Sequence, residues 1–145
     1  MRADLQIIAD WIPPNCRVLD LGCGDGTLLE HLERTKNILG YGLEIDADNI
    51  NACISKGVNV IQQDLDSKGL ANFRHQHFDV VLMTQALQAV RRPDVTLDEM
   101  LRLGRECIIT FPNFGYWRLR LYLLKKGRMP ITRTLPFTWY NTPNI

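Results

Sequence analysis

Three glycines at alternate positions, Gly22, Gly24 and Gly26, sit between an apolar run and a helical pattern and leave this chain little choice of fold. Arg17 to Leu21 reads as a short apolar strand and a helix begins near Thr27, so the glycines occupy a strand-to-helix turn. Glycine has no Cβ and tolerates positive φ, which lets a chain turn sharply and bring bare backbone N–H groups against a ligand at the positive end of the following helix. A small molecule carrying a carboxylate suits such a cradle.

The rest of the chain repeats the strand-helix alternation. A helix over Ala3 to Trp11 precedes strands near Arg17, Ile38, Val58, Phe78 and Cys107, with helices near Thr27, Asp48, Val95 and Tyr116. Alternation of this kind predicts an α/β fold, a Rossmann-like, doubly wound, mostly parallel sheet. Pro13 and Pro14 separate the first helix from the first strand, and Pro93 starts the helix that runs to Leu103. With 145 residues, 46% apolar and 23% charged, residues 1–145 read as a single globular domain.

The glycine spacing argues about the ligand. Dinucleotide-binding turns follow G-x-G-x-x-G, whereas this turn is G-x-G-x-G with Asp20 two residues ahead of the first glycine. An acid at the end of the first strand is badly placed against a pyrophosphate and well placed near an ammonium, directly or through water. The second strand, Ile38 to Leu43, ends at Glu44, at the spacing where nucleotide-binding α/β folds set an acid for ribose hydroxyls. The third, Val58 to Gln62, is followed by Asp64, which could accept from an adenine amine while Ile45 and Leu65 flank the ring. Each acid alone has an ordinary account as a helix cap or loop residue. Their order and spacing point together to a nucleoside that carries an amino acid.

Through Asp20-Leu21-Gly22-Cys23-Gly24-Asp25-Gly26, Glu44 and Asp64 the chain resembles the class I S-adenosylmethionine-dependent methyltransferases. The resemblance covers nearly the whole chain. It implies S-adenosylmethionine as cofactor, held by Asp20, Gly22, Cys23, Gly24, Gly26, Glu44, Ile45, Asp64 and Leu65. More specific segments are similar to one branch, the methionine biosynthesis protein MetW family: Phe78-Asp79-Val80-Val81, Thr84-Gln85-Ala86-Leu87-Gln88-Ala89, Phe111-Pro112-Asn113-Phe114-Gly115, Gly127-Arg128-Met129-Pro130 and Trp139-Tyr140-Asn141-Thr142-Pro143-Asn144-Ile145. That branch implies a role in methionine biosynthesis beside a homoserine O-acyltransferase.

A full methyltransferase of this class adds two strands after the fifth, one of them antiparallel, and too few residues remain here to form them. The chain is therefore expected to be truncated at its C-terminus, since MetW-like chains continue past Ile145, or else to have the open sheet edge covered by a partner.

Methyl transfer needs alignment above all, because the sulfonium is an activated donor; only an acceptor that holds a proton also needs a base. Ligands of a doubly wound sheet sit at the carboxyl ends of its strands, which puts Thr84, Gln85, Gln88, Pro112, Asn113 and Tyr116 on the acceptor side. None is a good base at neutral pH. Gln85, Asn113 and Tyr116 could orient an acceptor, or could stabilise turns and helix packing. His75 and His77 precede the fourth strand and His31 lies down the helix after the glycine turn, all away from the ligand end. No Asn-Pro-Pro-Tyr type of segment follows the fourth strand, where Met83-Thr84-Gln85-Ala86 stands instead, which argues against methylation of a nucleobase or amide nitrogen. Two roles stay open: a cofactor-binding partner of an acyltransferase, and a small-molecule methyltransferase.

Other classes fall away. Cys16, Cys23, Cys53 and Cys107 are scattered without the close pairs of a zinc site, so buried thiols and no metal are expected. Asp4 and Asp10 interrupt any signal-like segment and no apolar run spans a membrane, so a cytoplasmic location is expected. All 16 acids lie at or before Glu106, and six bases follow, Arg118, Arg120, Lys125, Lys126, Arg128 and Arg133, interleaved with Trp117, Leu119, Leu121, Tyr122, Leu123 and Leu124. A core helix with a solvated basic side is the favoured account of that stretch, ahead of a docking surface. With a net charge of +1, nucleic acid is not expected as a partner.

Overall fold

A computed structural model describes residues 3–131 apart from Gly69, Asn72, Arg74, Gln76 and Phe114. Arg133 and the motif at 139–145 lie outside the described residues. Five parallel strands form one sheet in the order β3-β2-β1-β4-β5: β1 (Arg17–Leu21), β2 (Leu39–Glu44), β3 (Val60–Gln62), β4 (Phe78–Thr84) and β5 (Gly104–Thr110). This is the Rossmann-like doubly wound sheet expected from the sequence, and among the described residues it ends at β5 without the two further strands of a complete methyltransferase.

Alternate residues of the central strands face opposite layers, as the two-residue period of a strand requires. Val18, Val80 and Leu82 pack with Ile8, Leu28, Leu29 and Leu32, from the helices α1 (Ala3–Trp11) and α2 (Thr27–Lys36). Leu19, Leu21, Val81 and Met83 pack on the other side with Met100 and Leu103 of α5 (Pro93–Leu103). Covered on both faces, β1 and β4 are largely apolar, interrupted by Asp20 and Asp79.

Local chemistry fixes the ends of the helices. Asp46 caps α3 (Ala47–Ser55), accepting the Asn49 N–H at 3.0 Å, and Pro93 opens α5. The Lys36 ammonium donates to the carbonyls of Ala9 and Ile12 at 2.5 and 2.6 Å, satisfying the C-terminal end of α1.

The strands β2 and β3 start later than the apolar runs suggested, at Leu39 and Val60 rather than Ile38 and Val58. Ile38 and Val58 are buried in the core while still in the connecting loops, so burial began before strand pairing did. Two short elements were not foreseen: α4 (Leu65–Lys68) and a single 3-10 turn over Leu87–Ala89. The last helix, α6 (Trp117–Lys126), departs from the expectation of a core helix, because none of its side chains is buried; Trp117 is 59% and Leu124 82% exposed. Its C-terminal Gly127 adopts φ 63, the usual left-handed stop.

Candidate functional site

The glycine turn runs directly from β1 into α2 at the carboxyl edge of the sheet, beside the point where strand order reverses between β1 and β4. That is where ligands of doubly wound sheets sit. Gly22, Gly24 and Gly26 all have positive φ, at 74, 57 and 73. Among the described residues a Cβ on Gly24 would meet nothing within 4 Å, so its need for glycine is conformational.

One expectation about the turn is corrected. Its N–H groups were expected to be bare, yet Gly22 and Cys23 donate to the Leu43 carbonyl at 2.8 and 3.1 Å, Gly26 donates to Cys23 O at 3.2 Å, and Thr27 donates to Asp25 Oδ1. The Gly24 N–H donates to Glu44 Oε2 at 2.8 Å. The turn is stitched to the end of β2, because an unpaired N–H in a partly buried turn is costly. What the site offers a ligand is a set of carboxylates rather than a row of donors.

Two adjoining hollows meet at Gly22. The smaller, about 150 Å³, is lined by Asp20, Gly22, Cys23, Gly24 and Asp25 together with Leu5, Thr27, Leu28 and Thr84. The larger, about 350 Å³, is lined by Gly22, Glu44, Ile45, Asp64, Leu65 and Gln85, with Asp66, Ala86, Ala89 and Val90. Eight of the nine residues proposed from sequence to hold the cofactor therefore line one hollow or the other. Gly26 lines neither; it lies behind the turn, where a Cβ would meet Cys53 Sγ at 2.8 Å. A hollow of about 470 Å³ along α2 contains His31 but no residue of the glycine turn before Thr27 and none of the strand-end acids.

The three acids differ in their surroundings. Asp20 is 1% exposed and its Oδ1 is a buried oxygen without a hydrogen-bond partner among the described residues. Burial, and then the neighbouring Glu44 carboxylate, push its carboxyl up to about 7. Glu44 is satisfied by three backbone donors, Gly24, Ile45 and Asp46, at 2.8 to 3.0 Å. Asp64 accepts the Asp66 N–H at 2.9 Å and so caps α4, whose Leu65 lines the same hollow as Ile45. An ammonium is the donor that Asp20 Oδ1 lacks, ribose hydroxyls could exchange with the N–H groups on Glu44, and Ile45 and Leu65 offer an apolar slot for a base. The residues present fit a nucleoside that bears an amino acid, of the S-adenosylmethionine type.

Residues 2–145 match the family of the methionine biosynthesis protein MetW. The chain belongs to that family. A bifunctional methionine biosynthesis protein MetXA/MetW from Rhodopirellula baltica is 39% identical over 153 residues, covering 99% of this chain and 24% of that protein. The chain thus spans about a quarter of the length of that relative. Among solved structures, a SAM-dependent methyltransferase from Archaeoglobus fulgidus superposes with a TM-score of 0.71 at 22% identity, over 90% of this chain and 61% of that one. Another from Thermotoga maritima gives 0.68 at 20% identity, over 86% and 57%. These structural likenesses establish the fold.

On the acceptor side this MetW-family chain is less convergent. Gln85 holds φ 56 at the end of β4, its N–H taken by Thr110, and its side-chain amide donates to Asp4 Oδ2 of α1 at 3.0 Å. Asn113 spends its side-chain oxygen on the Gly115 N–H, and Tyr116 precedes α6 at 45% exposure; neither lines the two hollows. Sequence reasoning missed Asp4, which reaches Gln85 across 81 positions, and Asp66, which accepts the Arg91 N–H at 2.8 Å and ties α4 to the loop after the 3-10 turn. A second acid after Asp64 was the one legible hint of the latter. Cys23 and Cys53 stand 3.9 Å apart, and burial raises both thiols, favouring the protonated form. Among the described residues no cluster of His, Cys, Asp or Glu could hold a metal, and no helix is long and apolar enough to cross a membrane.

Proposed function

We propose that residues 1–145 form a single S-adenosylmethionine-binding domain that works with a homoserine O-acyltransferase in the cytoplasmic synthesis of methionine. The observation that carries the cofactor is the buried Asp20 Oδ1, orphaned among the described residues, beside a turn whose Gly24 lines the same hollow. Asp20 would take the ammonium, Glu44 the ribose and Asp64 the adenine amine, with Ile45 and Leu65 against the ring. The joining of MetXA and MetW in one R. baltica protein supports the partner, with MetXA taken as the acyltransferase that the family resemblance implies.

Gln85, Asn113 and Tyr116 supply no general base, which favours a binding partner over a methyltransferase acting on a protonated acceptor. The test is to mix the chain with the acyltransferase and follow co-purification and acyl-transfer rate, with and without S-adenosylmethionine. Association together with a changed rate is the expected result. Failure to associate, combined with methyl transfer to a metabolite, would replace this reading with the methyltransferase.

A further inference from the structure

The hollow around Asp20 gathers carboxylates without a cation among the described residues. Asp20 faces Glu44 from β2, Cys23 from the glycine turn, Thr84 from β4 and the apolar Leu5 and Leu28 from the helices. Asp25, Asp64 and Asp66 lie around the two hollows, and Asp4 stands on α1. Among the described residues no Lys, Arg or His lines either hollow; Lys56, which reaches the turn, donates to Asp25 and Thr27 instead. Glu44 receives three N–H donors while Asp20 Oδ1 receives none from the described residues. A second uncompensated carboxylate at that depth is costly, so the proton goes to Asp20.

We propose that the site exchanges a proton on Asp20 for the ammonium of its ligand, so that an amino-acid-bearing nucleoside binds with proton release and binds more tightly as the solution becomes less acidic. The inference rests on the cofactor reading above. The balance is simple: the Asp20 carboxylic acid loses its proton to buffer, and the carboxylate left behind pairs with the ligand's ammonium. The carboxyl's position at about 7 sets the range. Below it affinity falls by about tenfold per pH unit, because each binding event must first ionise the acid. Above about 7 Asp20 is already ionised and the gain levels off, and above about 8 the ligand's own amine loses its proton and affinity falls. A nucleoside without the amino-acid portion makes no such demand, so discrimination in favour of the whole cofactor weakens in acid.

The test is calorimetric titration of the 145-residue chain at pH 6.5, repeated in buffers of different ionisation enthalpy, with S-adenosylmethionine and with methylthioadenosine, which lacks the amino-acid portion. S-adenosylmethionine is expected to release well over half a proton per site and methylthioadenosine almost none. S-adenosylmethionine that binds without releasing a proton would overturn the exchange and leave the cofactor reading standing. Equal release by both ligands would overturn it too, by placing the proton elsewhere. Absence of binding at any pH would remove the cofactor reading and the exchange together. Any binding that Asp20→Asn retains should release no proton; release retained in that variant would exclude Asp20 as the source, and if the variant does not fold or bind the unaltered chain still decides.

Discussion

The Gly24 N–H donates to the Glu44 carboxylate at 2.8 Å, joining the middle of the glycine turn to the end of β2 across twenty positions of sequence. Two features that look separate in the sequence are thus one piece of structure. Glu44 holds the turn before any ligand arrives, and its charge bears on Asp20. Glu44→Gln keeps one oxygen but turns an amide donor toward N–H groups that need an acceptor. A stability loss of about 1–3 kcal/mol is expected in denaturant titrations. The variant also removes a neighbouring negative charge, so the pH at which cofactor affinity is half-lost should move down.

Asp20 makes a separate prediction about the protein without ligand. Its folded-state carboxyl is raised from 3.8 to about 7, so the folded chain holds a proton that the unfolded chain gives up. Stability from this group is therefore fully present below about pH 4, declines as pH rises toward 7, and is constant above. Asp20→Asn has no such carboxyl. Its melting temperature relative to the unaltered chain should rise between pH 4 and 7 and then level off, by several degrees in all; a difference independent of pH would contradict the account.

Close approach of β2 to the glycine turn depends on Gly42. A Cβ there would run into the Cys23 side chain and lie 3.3 Å from Leu29 Cδ1. Gly42→Ala should cost about 1–3 kcal/mol by overpacking. Cys23→Ala removes the sulfur in the way, so the double variant should recover a large part of that loss in thermal or denaturant unfolding. Strict additivity of the two changes would show that they do not meet.

Much of this was legible because it is written locally. The apolar runs of β1 and β4, Pro93 at the start of α5, and the acids at the ends of β1 and β2 all carry their meaning within a few residues. The starts of β2 and β3 were displaced because Ile38 and Val58 are apolar for the core's sake and not for pairing. The four residues of α4 were too few for a helical period to show. Nothing local could reveal that the turn's N–H groups are spent on Leu43 and Glu44, or that Gln85 reaches Asp4, since these bonds are made only when distant segments meet. The alternation of bases with Trp117, Leu121 and Leu124 in α6 suggested a core helix, but an apolar pattern specifies burial only where another element covers it.

Titration of S-adenosylmethionine into the unaltered chain and into Gly24→Val tests whether the glycine turn and its acids form the proposed cofactor site. Gly24 sits at φ 57 and lines the smaller hollow, so a branched side chain there strains the turn, by about 1–2 kcal/mol, and fills the hollow a ligand would enter. Saturable binding to the unaltered chain, lost in a variant that still melts cooperatively a few degrees lower, is the predicted result. Equal binding to both proteins would place the ligand elsewhere, and no binding to either would contradict the account.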